Sequence, residues 1–373
     1  MKRVIVSVIN DLSTDQRVHK TCNTIHALGF EVMLVGRKQR MSLPLQPRRY
    51  KVKRMFLLFE KGPLFYLEYQ IRLFFYLLLN PSDILVSNDL DTLLPNYLIS
   101  KLKKSTLVYD THELFCEVPE LQGRPFKRNL WKAIERYIFP KLKHVFTVNE
   151  SIAAIYREEY KVDICVIRNV PLLHQQNKLV KRSKRELGIP EDKKIILLQG
   201  AGINVNRGAE EAVQAMQYLD DVVLLIIGSG DVIDLLKQLT HTLNLGSKVL
   251  FIPKVPFQEL RLYTQYADLG LTLDKSTNLN YKFSLPNKLF DYIHSEVPVL
   301  SSDLPEIKKI IYTYNIGECI DGHDPQAIAK KISTMLHEET IYQVWKKNTK
   351  IAAENLNWEK EEQQLIAVYM QFR

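Results

Sequence analysis

The sequence predicts an α/β protein made of two Rossmann-like parallel-sheet domains that face a central cleft. Three observations point there. Short apolar runs alternate with amphipathic helical stretches along the whole chain, an order that gives parallel strands covered by helices on both faces. The rhythm breaks over residues 171–190, PLLHQQNKLVKRSKRELGIP, and restarts with a very apolar strand at Lys194. Finally, 373 residues, 46% of them hydrophobic, suit two packed cores better than a single domain of ordinary size.

In chain order, Val4 to Val8 reads as the first strand. The polar turn Asn10 to Asp15 leads into a helix from Arg17 to Leu28, which Gly29 ends at the position where a left-handed residue is wanted. Glu31 to Val35 is a strand, Leu64 to Leu79 a long helix, and Asp83 to Val86, Thr106 to Tyr109 and His144 to Val148 are further strands. Polar turns follow the last three: Ser87 to Asp91, Asp110 to Glu113, and Asn149 with Glu150. Ligands of open parallel sheets bind at such carboxyl ends. The second half gives strands at Lys194 to Gln199, Val222 to Ile227, Val249 to Ile252, Leu269 to Leu273 and Val299 to Ser301. Helices are read at Ala209 to Tyr218, Gln258 to Tyr266, from Pro286 onward, and at Trp358 to Phe372. The resulting boundaries are a domain over 1–170, a linker over 171–190, a domain over 191–355, and a C-terminal helix over 356–373 that packs back on the first domain.

Charge is divided unevenly. Residues 1–170 carry 27 Lys+Arg against 17 Asp+Glu, a net +10, while the remainder carries 24 against 25, a net −1. Eight basic residues and no acid lie between Arg37 and Arg54. Such a run is either a solvated face or an attraction to something anionic: a lipid surface, a diphosphate-linked acceptor or nucleic acid. No recognisable nucleic-acid module accompanies it, so nucleic acid ranks last. Cys22, Cys116, Cys165 and Cys319 show no paired or metal-ligand spacing and read as free thiols. The N-terminus lacks the apolar core of a signal peptide, and Leu64 to Leu79 contains Glu68 and Arg72 and is too short to span a bilayer. The expected location is therefore cytoplasmic, with peripheral contact at the inner face of the cell membrane.

Three motifs bear on chemistry. Gly228-Ser229-Gly230 follows a strand, but Ile233 stands where a dinucleotide fingerprint needs its third glycine, which leaves a tight strand-to-helix turn as the reading. In Gln199 to Gly208, Gly200 and Gly202 let the backbone approach a ligand, and Arg207 brings a guanidinium whose fork matches phosphate. In KFSLPNKLFDYIHSEVPVLS, residues 282–301, Pro286 opens a helix with Asn287 and Lys288 at its entrance. Asp291 lies three residues after Lys288, on the same helix face. Lysine could neutralise a diphosphate and the carboxylate could accept from ribose hydroxyls. The alternative for these two is an ordinary ion pair within one helix.

With those motifs in place, the chain resembles family four of the retaining glycosyltransferases, which have the two-domain GT-B fold. The resemblance runs over nearly the whole chain. It is carried by residues 10–32, by SNDLDTLLP (87–95), VYDTHELFCEVPE (108–120) and QGAGINVNRG (199–208), and most strongly by LPNKLFDYIHSEVPVLSSDLPEI (285–307). It implies transfer of a sugar from a nucleoside-diphosphate sugar to a saccharide or lipid-linked acceptor in polysaccharide or glycoconjugate synthesis, with no cofactor and no metal requirement. It assigns the acceptor to the first domain and the nucleotide sugar to the second. Arg207, and Lys288 with Asn287, would meet the donor phosphates, and Asp291 the ribose. His112 would face the donor sugar. Gly202, Ser284 and Leu285 would add backbone contacts, and Asp15, Arg17, Asp110 and Glu113 would lie on the acceptor side, Asp110 and Glu113 as candidate bases. Phe283 stands where the family has the first glutamate of its acidic pair, and Asp291 replaces the second. Two alternatives follow: a sugar-nucleotide epimerase on the same fold, or a non-catalytic nucleotide-sugar-binding relative, which Phe283 favours. A phosphorylase lacks its expected pyridoxal-lysine context.

Overall fold

The computed structural model describes residues 1–13, 15–40, 42, 44–173 and 182–373. The chain forms two compact units, one of Met1–Asn169 with Trp358–Arg373, the other of Val170–Asn357.

The first unit begins with strand β1 (Arg3–Asp11), whose residues Val4 to Val8 are all buried, as a central parallel strand with both faces covered requires. Helix α1 (Gln16–Ala27) starts at Asp15, whose Oδ1 accepts from the Val18 amide at 3.0 Å, a side-chain N-cap. Gly29, at φ 88°, turns the chain into β2 (Glu31–Lys38). Then come β3 (Lys51–Phe56), α2 (Gly62–Leu79), β4 (Ile84–Asn88), α3 (Leu90–Lys103), β5 (Thr106–Thr111), α4 (Pro125–Ile138), β6 (His144–Thr147), α5 (Glu150–Tyr160) and β7 (Cys165–Val166). Among the described residues the strands form one parallel sheet in the order β3-β2-β1-β4-β5-β6-β7.

The second unit runs β8 (Lys194–Gly200), α6 (Ala209–Ala215), β9 (Val222–Gly228), α7 (Ile233–Thr242), β10 (Val249–Pro253), α8 (Phe257–Thr264), β11 (Leu269–Thr272), α9 (Leu279–Lys282), α10 (Asn287–Ile293), β12 (Val299–Ser302), α11 (Pro305–Tyr314), β13 (Gly317–Ile320), α12 (Pro325–His337) and α13 (Glu339–Asn355). Its sheet is parallel, in the order β10-β9-β8-β11-β12-β13. Ile196 and Leu198 enter one core and Ile195 and Leu197 the other, the two-residue alternation of a strand buried on both faces. The strand order reverses between β8 and β11, and ligands of such sheets sit outside the carboxyl ends at that reversal.

Helix α14 (Trp358–Met370) belongs to the first unit and packs on α1. Trp358 Nε1 donates to Thr24 Oγ1 at 3.2 Å, and Glu361 accepts from both the backbone and Nε of Arg168. Of the stretch read as a linker, 174–181 lies outside the described residues. Leu187 and Ile189 are buried in the second unit's core, so this part is structural rather than a tether. The four cysteines are free. No described helix is long and apolar enough to cross a membrane.

Gly228 and Gly230 have a packing role. A Cβ on Gly228 would lie 1.8 Å from the Gly200 carbonyl oxygen, and one on Gly230 would lie 2.0 Å from that of Ile203. The pair seats the loop after β8 against the loop after β9.

Candidate functional site

The second unit gathers its charged groups at the β8/β11 reversal. Asp274, just past β11, is fully buried. Arg207, in the loop after β8, donates from Nη1 to Asp274 Oδ1 at 2.9 Å, and its guanidinium lies 4.2 Å from the Tyr281 ring centroid. Lys288, in the first turn of α10, places Nζ 3.4 Å from Asp274 Oδ2. Two cations from separate elements thus converge on one carboxylate, which Thr272 Oγ1 also reaches at 3.3 Å. Arg207 Nε is buried with no hydrogen-bond partner, a donor directed at no oxygen among the described residues.

Electrostatics follow from this packing. Burial works against ionisation of Asp274, but Lys288 and Arg207 outweigh it and hold its pKa below the usual carboxylate range. Burial depresses the Lys288 pKa; Asp274 opposes this and the charge of Arg207 adds to it. Burial also opposes the charge of Arg207, which Asp274 more than restores.

The intrahelical ion pair Lys288–Asp291 is not what the structure holds: Lys288 turns to Asp274, while Asp291 Oδ2 accepts from Gln199 Nε2 at 3.0 Å. Gln199 is itself fixed at its other end, where Oε1 accepts from Thr264 Oγ1 at 2.8 Å. Asn287 is exposed at the start of α10. Ser284 Oγ donates to the Tyr281 carbonyl at 2.9 Å, so this hydroxyl serves the local turn. Leu285 packs at the edge of the core. Gly202 is exposed, outside the left-handed region, and a Cβ there would meet only the Asn204 amide at 3.8 Å. Phe283 ends α9 half-buried, with Lys282 Nζ 5.4 Å from its ring centroid.

The first unit holds a second constellation, around His112 at the end of β5. Its Nδ1 lies 3.1 Å from Asp89 Oδ2, its Nε2 3.4 Å from Asp110 Oδ2, and its backbone N–H donates to Asp89 Oδ1 at 2.8 Å. Burial disfavours the imidazolium, yet Asp89 and Asp110 overcome it and raise the pKa well above the histidine value. Asp89 sits at φ 59°, a strained conformation of the kind that clusters at working sites.

The four residues expected on the acceptor side take these places. Asp110 is 4% exposed and Arg17 3%, and they form a bidentate pair, Nε to Oδ2 at 3.0 Å and Nη2 to Oδ1 at 2.6 Å. Arg17 Nη1 also donates to the Ile167 carbonyl at 2.7 Å. Burial would raise the Asp110 pKa, but Arg17 and His112 drive it well below the usual range. A carboxylate so committed is a poor base, because taking a proton means breaking a buried ion pair. Asp15 caps α1 and accepts from Asn10 Nδ2 at 3.0 Å. Glu113 is half-buried, and its carbonyl accepts from Thr111 and Tyr156.

Asp91 lies beside this group, buried, with Oδ1 unpartnered. Burial, then Asp89 and Glu113, raise its pKa well above the carboxylate value of 3.8. A raised acid pKa makes the wild type lose stability as pH climbs from 3.8 toward the folded value. Asp91→Asn should therefore be stabilised relative to the wild type more at pH ~8 than at pH ~4, read by thermal unfolding at both values.

Asp89 and Asp274 were not singled out from the sequence, although both stand just past a buried strand, in SNDLD and LTLDK. A carboxylate in that place is the signal that would have found them.

A family model described as Glycosyltransferase Family 4 matches residues 15–170, and one described as Glycosyl transferases group 1 matches residues 180–352. Between them they take in nearly the whole chain. The chain is a glycosyltransferase of the family-four type. This glycosyltransferase is 22% identical over 198 residues to D-inositol 3-phosphate glycosyltransferase of Xylanimonas cellulosilytica. That match takes in 50% of the chain, which spans only 45% of the relative's length. Sucrose-phosphate synthase from Thermosynechococcus elongatus shares the fold at TM-score 0.80 and 16% identity, with 100% of this chain and 99% of that one covered. The Anabaena HepE structure with UDP and glucose does so at TM-score 0.74 and 13% identity, covering 99% and 100%. These likenesses show the GT-B fold of two parallel-sheet α/β domains.

Proposed function

We propose that the glycosyltransferase binds a nucleoside-diphosphate sugar at the Arg207–Asp274–Lys288 cluster and transfers the sugar with retention of anomeric configuration. One observation carries the reading: two cations from separate elements converge at the strand-order reversal of the second unit. In the reaction the bond between the anomeric carbon and the diphosphate oxygen breaks, and negative charge grows on the leaving group. Groups held in place before that charge develops stabilise it without reorganising. Arg207 and Lys288 answer this requirement, and Asp274 keeps both oriented. Gln199 holds the Asp291 carboxylate for the ribose hydroxyls. With Asp110 committed to Arg17, the acceptor hydroxyl is deprotonated by the departing phosphate oxygen as its own oxygen bonds to the anomeric carbon from the same face. Within the first unit, His112 is kept charged by Asp89 and Asp110, which suits that unit to meet a sugar hydroxyl.

The acceptor in this reading is a saccharide or a lipid-linked saccharide at the cytoplasmic face of a membrane, and the net charge of +10 over residues 1–170 attracts an anionic surface. The protein cations take the place a divalent ion would have, so no metal is needed: EDTA should leave the transfer rate unchanged, as measured by nucleoside diphosphate release. The reading is tested by incubating the protein with a panel of nucleotide sugars, with UDP sugars first because the Anabaena HepE structure contains UDP. Release of nucleoside diphosphate that depends on Lys288 supports it. Binding without turnover would favour the non-catalytic relative.

A further inference from the structure

The first unit carries an outward apolar face that its own core does not use. On α2 the inward residues Phe65, Tyr69, Leu73 and Leu77 are buried. A second set, Leu64, Leu67, Ile71, Phe75 and Leu79, is exposed. Their spacing of three and four residues places them on one stripe along the helix. Helix α4 repeats the arrangement: Trp131 and Ile138 point inward, while Phe126, Leu130 and Tyr137 form an exposed stripe. Helix α3 packs against both α2 and α4, and its Leu98 and Leu102 are exposed as well. Phe126 is 81% exposed and Leu79 79%. Scattered apolar residues need no explanation, but aligned stripes on neighbouring helices do.

The loop before α2 adds to the face. Leu58 is 70% exposed, and Phe59 is exposed beside it. Glu68, the acid within the α2 sequence, does not interrupt the face as a free charge. Its carboxylate accepts from the Leu58 amide at 2.9 Å and the Phe59 amide at 3.0 Å, and pairs with Arg72 at 2.8 Å. It therefore pins the apolar loop to the helix.

The charges around the face decide its occupant. Lys61 borders the α2 stripe, and Arg124 and Lys127 border the start of that of α4; all three are exposed, whereas Arg72 and Arg136 are paired with Glu68 and Glu159. An apolar stripe edged by cations matches a bilayer with an anionic surface: the side chains enter the headgroup boundary and the basic groups meet lipid phosphates. A second copy of this chain would set the same cations against one another. We infer that the outward face of α2, α3 and α4 is a docking surface for an anionic lipid bilayer, held by apolar insertion as well as by charge. The inference extends the membrane reading above and does not depend on donor binding.

The test is co-sedimentation of the full chain with vesicles of phosphatidylglycerol and phosphatidylcholine, alongside vesicles of phosphatidylcholine alone. The chain should bind the mixed vesicles and retain part of that binding in high salt, because insertion is not screened. Phe75→Gln with Phe126→Gln should weaken vesicle binding about tenfold or more, while thermal unfolding and release of nucleoside diphosphate with a soluble acceptor stay unchanged. Absence of vesicle binding would overturn the inference. So would full release by salt with the apolar variant binding like wild type, which would leave surface charge alone. Concentration-dependent dimers in sedimentation velocity that the same variant abolishes would assign the face to a second copy instead.

Discussion

Lys288→Ala is expected to lower sugar transfer about a hundredfold, and Arg207→Ala by a similar factor, with the fold intact. In the proposed reaction each change removes one charged contact to the leaving diphosphate, an interaction that strengthens as the anomeric bond breaks, and losing such a donor costs on the order of 3 kcal/mol of transition-state stabilisation. The stability of the variants differs from their activity for a structural reason. Either change leaves Asp274 with the other cation, so the buried carboxylate keeps a partner. Steady-state kinetics and thermal unfolding together check this: kcat/KM should fall steeply while Tm moves little. A pH profile adds a signed prediction. The Lys288 pKa is displaced below the ordinary lysine value of 10.5 by burial and by Arg207. Donor binding needs the charged form, so affinity should begin to fall, as pH rises, earlier than an exposed lysine would permit.

Asp110→Ala is expected to give the largest loss of stability, about 3 kcal/mol, because it leaves Arg17 buried and charged without its carboxylate. Both side chains are at most 5% exposed, so solvent does not dilute the effect. In a unit of this size that loss lowers the melting transition by on the order of 6–12 °C. Replacing both partners, Arg17→Met with Asp110→Leu, should recover much of it, since the uncompensated charge is what destabilises. Calorimetry on the single and double variants separates these outcomes. The pH dependence has two sides. The depressed Asp110 pKa contributes stability that is present above the ordinary value of 3.8 and is lost as pH falls through the folded value. The raised His112 pKa contributes stability that is complete below 6.5 and is lost as pH rises through the folded value. The constellation is therefore most stabilising between those two ordinary values.

Much of the architecture was readable because parallel strands buried on both faces leave long apolar runs. Val222 to Ile227 and Lys194 to Gln199 are such runs, and the strands found there extend them by one residue each. β3 was not readable: it lies at the sheet edge, where Lys51 and Lys53 stay exposed, and its alternating lysines look like part of a basic loop. α3 was hidden by Pro95 within it. α4 was not read as a helix although its apolar residues gather on one side of it.

The site was legible in part. Arg207 and Lys288 could be named because guanidinium and ammonium groups beside glycine- and proline-marked turns suit phosphate. Their meeting at Asp274 could not, since 67 residues separate Arg207 from it and only the sheet order joins them. The pairing of Asp110 was hidden for the same reason. The residue stands in a loop-like Asp-Thr-His-Glu context, while its partner Arg17 lies 93 residues away, and the pairing that removes it as a base appears only in three dimensions.

The most direct test of the central claim is calorimetric titration of nucleoside diphosphates, UDP first, into the wild-type protein and Lys288→Ala. One diphosphate should bind the wild type and lose at least about tenfold in affinity in the variant, with the corresponding nucleoside unaffected. Equal affinity of both proteins for that diphosphate, or no diphosphate binding at all, would contradict the account.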